Sequence, residues 1–100
     1  MIRGTTPVHV FNLPFEANLI QEVRVTYAQS GEKVLEKTEA DCTLEDKCIM
    51  VELTQQETLK FKARVNVEIQ IKLLTTAGEV MASKIQTVSV DRCLNEEVLE

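Results

Sequence analysis

Few residues in this chain could carry chemistry: one histidine, His9, three cysteines, Cys42, Cys48 and Cys93, and an acidic cluster of Glu39, Asp41, Glu45 and Asp46. A histidine acting as a base needs an orienting carboxylate and a nucleophile within hydrogen-bond reach. No sequence-local set of that kind surrounds His9, which disfavours a serine or cysteine hydrolase. Cys42 and Cys48 lie on opposite arms of an expected hairpin, where they could face one another. With Cys93 and His9 they would form a nominal four-ligand zinc set. Structural zinc uses ligand pairs separated by only about two to four residues, so the spacing is wrong, and packing of three small hydrophobic thiols is the better account. The acidic cluster could be a calcium loop or paired catalytic carboxylates. It lacks the alternation and central glycine of the former, and Lys47 would set a positive charge beside the ligands, so a solvated hairpin tip is expected. Gly4, Gly31 and Gly78 are too far apart for a phosphate-cradling loop. No residue is therefore assigned a catalytic, cofactor-binding or metal role, and the chain is expected not to be an enzyme.

Strands have to place these residues, because period-two alternation dominates the sequence. In Val65-Asn66-Val67-Glu68-Ile69-Gln70-Ile71-Lys72-Leu73 every odd position is apolar and every even one polar, the pattern of a half-buried strand. A helix would scatter the same residues around its circumference, and β-branching at all but one of the apolar positions favours pleated backbone. Thr75-Thr76-Ala77-Gly78 supplies a turn into a last strand at about 79–91. There Val80 and Ala82 share a parity with Val88 and Val90 while Met81 and Ile85 fall on the other, which predicts a bulge near Ser83 or cover on both faces. Earlier strands are expected at 8–13, with His9 in phase with Phe11 and Leu13 and so leaning toward the core or its rim, and at 20–28, 32–38, 41–44 and 48–53. The charged 32–38 strand suits a sheet edge. Thr54 followed three residues later by Glu57 has the spacing of a capping box, which predicts one helical turn within 54–60. The tail at 94–100 is open between a short amphipathic turn and a frayed end.

Seven strands in 100 residues predict an all-β fold, an immunoglobulin-like antiparallel sandwich forming a single domain over 1–100. A chain of this length buries roughly 65% of its unfolded surface, enough for one core without metal or disulfides. The core disulfide and tryptophan of antibody domains are missing, so the likeness is one of architecture. Sixteen acidic against eleven basic residues give a net charge of −5 with no basic cluster, which argues against nucleic acid as a partner. No apolar run approaches the roughly 18 residues of a membrane span, so no membrane partner is expected. The first residues show no signal-peptide core, and the protein is expected to stay where it is made. Asn66, Glu68, Gln70 and Lys72 form one exposed polar row, with Arg24 and Thr26 in a neighbouring one. Function on such a fold is expected in end loops or at free edges, where a partner can add a strand.

The segments Ile2-Arg3-Gly4-Thr5-Thr6-Pro7, Val23-Arg24-Val25-Thr26-Tyr27-Ala28-Gln29 and Leu53-Thr54-Gln55-Gln56-Glu57-Thr58-Leu59 together resemble a group of small uncharacterised proteins encoded in phages and prophages of Gram-positive bacteria. More distantly the chain is similar to the immunoglobulin-like N-terminal module of phage baseplate upper proteins. The resemblance implies a non-enzymatic structural or assembly protein, associated with the virion, baseplate or tail. Its expected partners are other phage structural proteins or further copies of itself, and its expected location is the bacterial cytoplasm during assembly and then the virion. The resemblance carries no catalytic residues and no cofactor. The alternative expectation is an acidic accessory protein that binds and inhibits a host enzyme, presenting carboxylates in place of phosphates. Lysines at 33, 37, 47, 60, 62, 72 and 84 interrupt the acids and dilute any continuous negative stripe.

Overall fold

Alternation sets the layout of the molecule, which a computed structural model describes over residues 1–100. In chain order the elements are β1 (Val8–Asn12), β2 (Ile20–Gln29), β3 (Glu32–Thr38), β4 (Cys42–Glu45), β5 (Cys48–Glu52), a helical turn α1 (Gln55–Thr58), β6 (Val67–Thr75), β7 (Val80–Ala82) and β8 (Gln86–Val88). All pairing between these strands is antiparallel, and they form two sheets. The smaller sheet has the order β1-β5-β4; the larger runs β3-β2-β6 and is completed by β7 and β8 along the far side of β6. This is an all-β sandwich. Because β2 pairs with its sequence neighbour β3 in one sheet, the immunoglobulin likeness resides in the two layers and not in the strand order.

The paired centre of the larger sheet is β2 against β6, matched from Ile20 opposite Thr75 to Gln29 opposite Val67. Their inward faces, Val23, Val25 and Tyr27 on β2 and Val67, Ile69, Ile71 and Leu73 on β6, are buried and meet Ile49 and Val51 of β5. The strand begins at Val67 and not at Val65 because buried Gln29 captures the preceding loop. Its amide nitrogen donates to the carbonyls of Lys62 and Val65, both at 2.9 Å, and its oxygen accepts from the Lys62 N–H at 2.8 Å.

The expected seventh strand is two strands. From Lys72 to Ile69 is three steps on β6, whereas the matching step from Ala82 to Gln86 is four, so one extra residue sits on the edge side near Ser83, where the change of phase predicts a bulge. Ser83 replaces the missing ladder contacts: its N–H donates to the Ile71 carbonyl at 2.9 Å, and its hydroxyl accepts from the Ile71 N–H at 3.1 Å. The capping box at Thr54 forms as its spacing predicts. The Thr54 hydroxyl accepts from the Glu57 N–H, and the Glu57 carboxylate accepts from the Thr54 N–H.

The ends of the chain are tied to the sandwich. Ile2 bridges Asp91 in parallel, and the Met1 ammonium donates to the Ser89 carbonyl at 2.8 Å. The tail forms no helical turn, and Gln55 makes a two-way amide contact with the backbone of Leu99 at 2.7 and 2.8 Å. No helix is long and apolar enough to cross a membrane.

Candidate functional site

His9 faces inward from β1, as its phase with Phe11 predicts. Its Nδ1 lies 2.8 Å from the Tyr27 hydroxyl. Burial in the core pushes the Tyr27 pKa up, helped by the neighbouring Cys42 and Glu57, so the phenol stays protonated, and its hydroxyl, which has Nδ1 as its one hydrogen-bond partner, donates a hydrogen bond there. Burial, followed by the charge of the N-terminal ammonium, lowers the His9 pKa. The imidazole is therefore neutral near pH 7 and carries its hydrogen on Nε2. Tyr27 in turn packs its ring against Phe61, with centroids 5.9 Å apart.

Of the nominal zinc set, only His9 and Cys42 share the inner face of the smaller sheet, two strands apart with Val51 between them. Both lie opposite Val51, one on each side of β5, and side chains directly across a ladder share a face. Cys42 does not face Cys48, which is opposite Glu45 in the hairpin; the loop 45–48 puts the two thiols at different levels and on different faces. Cys48 donates to Asn12 Oδ1 at 3.5 Å, and Cys93 to the Asn95 carbonyl at 3.0 Å. Cys42 has its pKa raised, first by burial and then by the charge of Asp41, and remains a thiol at neutral pH. Nothing groups three or more metal-ligating side chains.

Two carboxylates of the 39–46 cluster have internal partners. Glu39 accepts from Arg24 at 3.1 Å, and Asp41 caps the start of the 39–41 turn by accepting from the Thr38 N–H at 3.0 Å. That backbone bond is the main reason the Asp41 pKa is lowered. Asp46 closes the 45–48 hairpin with a φ of 49°, and its carbonyl accepts from the Ala17 N–H. The hairpin tip is a structural junction as well as a solvated one.

Sequence reasoning missed a second buried polar pair. Lys37 turns into the sandwich from the edge strand β3 and is only 9% exposed. Its ammonium donates to Glu57 at 2.7 Å. Burial alone would raise the Glu57 pKa, but the Lys37 ammonium and the Thr54 N–H outweigh it and hold the carboxylate below its ordinary value. The signal lay in parity, since Lys37 shares the phase of buried Leu35. An inward charge on an edge strand is a known guard against unwanted strand addition.

The feature with the clearest capacity for function is the opposite edge. In β1 the Pro7 carbonyl accepts from the Leu53 N–H and the Leu13 N–H donates to the Lys47 carbonyl. Odd-numbered residues therefore carry the ladder to β5, and by strand alternation Val8, Val10 and Asn12 turn their N–H and C=O groups outward. No strand of the chain takes them, since β1 pairs with β5 alone. Unlike β3 and β4, β1 contains no charged residue, and Val8 and Val10 are each 54% exposed. The β7 and β8 edge also lacks charge within its strands, but Ser83 breaks it into two three-residue pieces.

Beside the open strand lies a groove of about 360 Å³, formed where β1 stands over the edge of the larger sheet. Phe11, Leu13 and Phe15 line one wall; Ile71, Leu73 and Met81 line the other. His9 and the cysteines line none of the three principal clefts. The run Val8-His9-Val10-Phe11, apolar at both parities apart from the histidine, was the available sequence signal for a strand with work on both faces. No family model, no curated protein and no solved structure matches this chain.

Proposed function

We propose that this chain is a non-enzymatic assembly protein acting through protein–protein contacts, a phage- or prophage-derived structural component of the virion, baseplate or tail. The observation that carries the reading is the open β1 edge: an uncharged strand with unpaired backbone groups, flanked by an apolar groove. Exposed, flat, uncharged edges are templates for strand addition, and folds that have no use for them usually block them. This molecule guards β3 with four charged side chains, Glu32, Lys33, Glu36 and Lys37, and leaves β1 open. The phage origin rests on the resemblance of the 2–7, 23–29 and 53–59 segments. The inhibitor alternative gains nothing from the 39–46 cluster, half of whose carboxylates are engaged within the fold.

Particles purified from bacteria carrying the gene, analysed by quantitative mass spectrometry, test the reading. The protein is expected at a fixed copy number relative to the major virion proteins. Val10→Lys, which charges the edge without touching the core, is expected to fold normally and to be lost from the particles. A protein absent from purified particles, or V10K incorporated at the normal copy number, contradicts the reading.

A further inference from the structure

We infer that the open edge of β1 takes the same edge of a second copy, so that two sandwiches join through an antiparallel β1–β1 ladder centred on Val10. The inference rests on the reading of β1 as the working surface and names its occupant.

Only Val8, Val10 and Asn12 present outward backbone groups. In a two-fold antiparallel pairing with Val10 opposite Val10, Val8 falls opposite Asn12, and every outward N–H and C=O of both strands finds a partner. A register shifted toward the strand end would pair Val8 with Pro14, which has no N–H to give. One shifted the other way would pair Asn12 with Thr6, which lies outside the strand. The centred register is thus the one in which nothing is left over, and two-fold pairing of a patch with itself closes the assembly at a dimer.

Each copy carries a net −5, so two copies repel at long range, and contact is tolerable only where the surface has no charge of its own. The β3 edge would set like charges opposite one another, Glu32 facing Glu36 in a pairing centred on Val34 and Lys33 facing Lys37 in one centred on Leu35, and the β4 edge would bring together Glu45 and its neighbours Asp41 and Asp46. Across the β1 seam the outward face instead joins Val8 and Val10 of both copies, continued on β5 by Met50, which lies opposite Val10. The result is a six-stranded sheet with an uncharged centre. A ladder this short buries well under the roughly 1,600 Å² of a standard interface, so the dimer is weak and reversible.

The test is amide hydrogen exchange and light scattering on the wild-type protein from about 10 μM to about 1 mM, a range that brackets weak association. His9, Phe11 and Leu13 amides are expected to be protected throughout, because they face β5. Those of Val8, Val10 and Asn12 are expected to exchange freely when dilute and to gain protection together with the appearance of dimer mass. Raising salt, which shortens the range of the repulsion, is expected to strengthen the dimer. V10P, whose lost N–H points away from β5, and V10K are each expected to be monomeric with the odd-numbered amides still protected. A monomer at every concentration, a dimer in which the even-numbered amides stay unprotected, or V10P and V10K dimers as tight as wild type each overturn the proposal. Where the protein is monomeric, a synthetic extended peptide of alternating valine and threonine separates the two claims. Protection of Val8, Val10 and Asn12 by the peptide leaves the edge open to other chains and rejects self-pairing alone, whereas no protection rejects both.

Discussion

The interior of this sandwich contains two polar arrangements that behave differently on titration. His9 accepts from Tyr27 only while its imidazole is neutral. The folded protein binds that proton more weakly than the unfolded chain, whose histidine has a pKa near 6.5. Stability is therefore complete above pH 6.5 and declines as pH falls from there through the lower folded value. Thermal midpoints measured between pH 7.5 and about pH 5 are expected to drop for wild type and to stay flatter for His9→Asn, with the difference confined to this window. Asp41 and Glu57, whose folded pKa values are lowered, contribute stability present above their unfolded values and lost only at more acidic pH. Gln29 is the second residue-scale case. With its amide bonded to Lys62 and Val65 from a 6% exposed position, Gln29→Leu leaves backbone groups of the 62–65 loop unpartnered. A cost of about 2–3 kcal/mol is expected, read as a lower urea midpoint at unchanged slope.

At the scale of elements, α1 is a single turn that survives because its start and its Glu57 carboxylate are both engaged. Glu57 serves two elements at once, capping Thr54 and holding Lys37 of β3. Thr54→Ala removes only the cap and is expected to cost about 1 kcal/mol. Glu57→Gln leaves the Lys37 ammonium buried without a counter-charge and is expected to cost more, about 3 kcal/mol. Lys37→Met leaves the Glu57 carboxylate largely buried without its ammonium, with the Thr54 N–H as its remaining partner, and is expected to cost about 3 kcal/mol in urea unfolding as well. It also removes the inward charge from β3, so concentrated K37M is expected to aggregate sooner than wild type in a turbidity assay. Equal costs for E57Q and T54A would show that the ion pair contributes nothing beyond the cap. The break between β7 and β8 is a second edge device, since the extra residue near Ser83 interrupts what would otherwise be one long open ladder.

For the whole molecule, the two chain ends lie side by side against α1. Arg3 donates through Nε to the Phe61 carbonyl at 2.7 Å and through its guanidinium to the Leu59 carbonyl at 3.0 Å, and it also pairs with Glu96. The first two bonds satisfy carbonyls at the end of the helical turn, which a cation there suits; the third is a half-exposed ion pair. Arg3→Met is expected to cost about 1–2 kcal/mol through the carbonyls, and Glu96→Gln less than about 0.5 kcal/mol. The difference shows in thermal midpoints of the two variants. A larger loss for E96Q than for R3M would place the anchoring in the tail and not in the helix end.

Local rules made much of this molecule legible in its sequence. Alternation in 65–73, the turn at Gly78, the phase change near Ser83, the capping box at Thr54 and the charged edge strand each depend on a few neighbouring residues, and each took the expected form within a residue or two. The inward direction of His9 followed from parity in the same way. Tertiary structure alone decided the rest, because it depends on which strands meet. Nothing in the sequence pairs β1 with β5, or sets His9 and Cys42 on either side of Val51 while keeping Cys48 away. Lys37 and Glu57 lie twenty residues apart, and the loop that Gln29 captures lies more than thirty residues from it. The open edge is a matter of pairing too, since a strand is at an edge only when every other strand has gone elsewhere. Composition could say that β1 is uncharged; only the order β1-β5-β4 leaves that uncharged strand unpartnered.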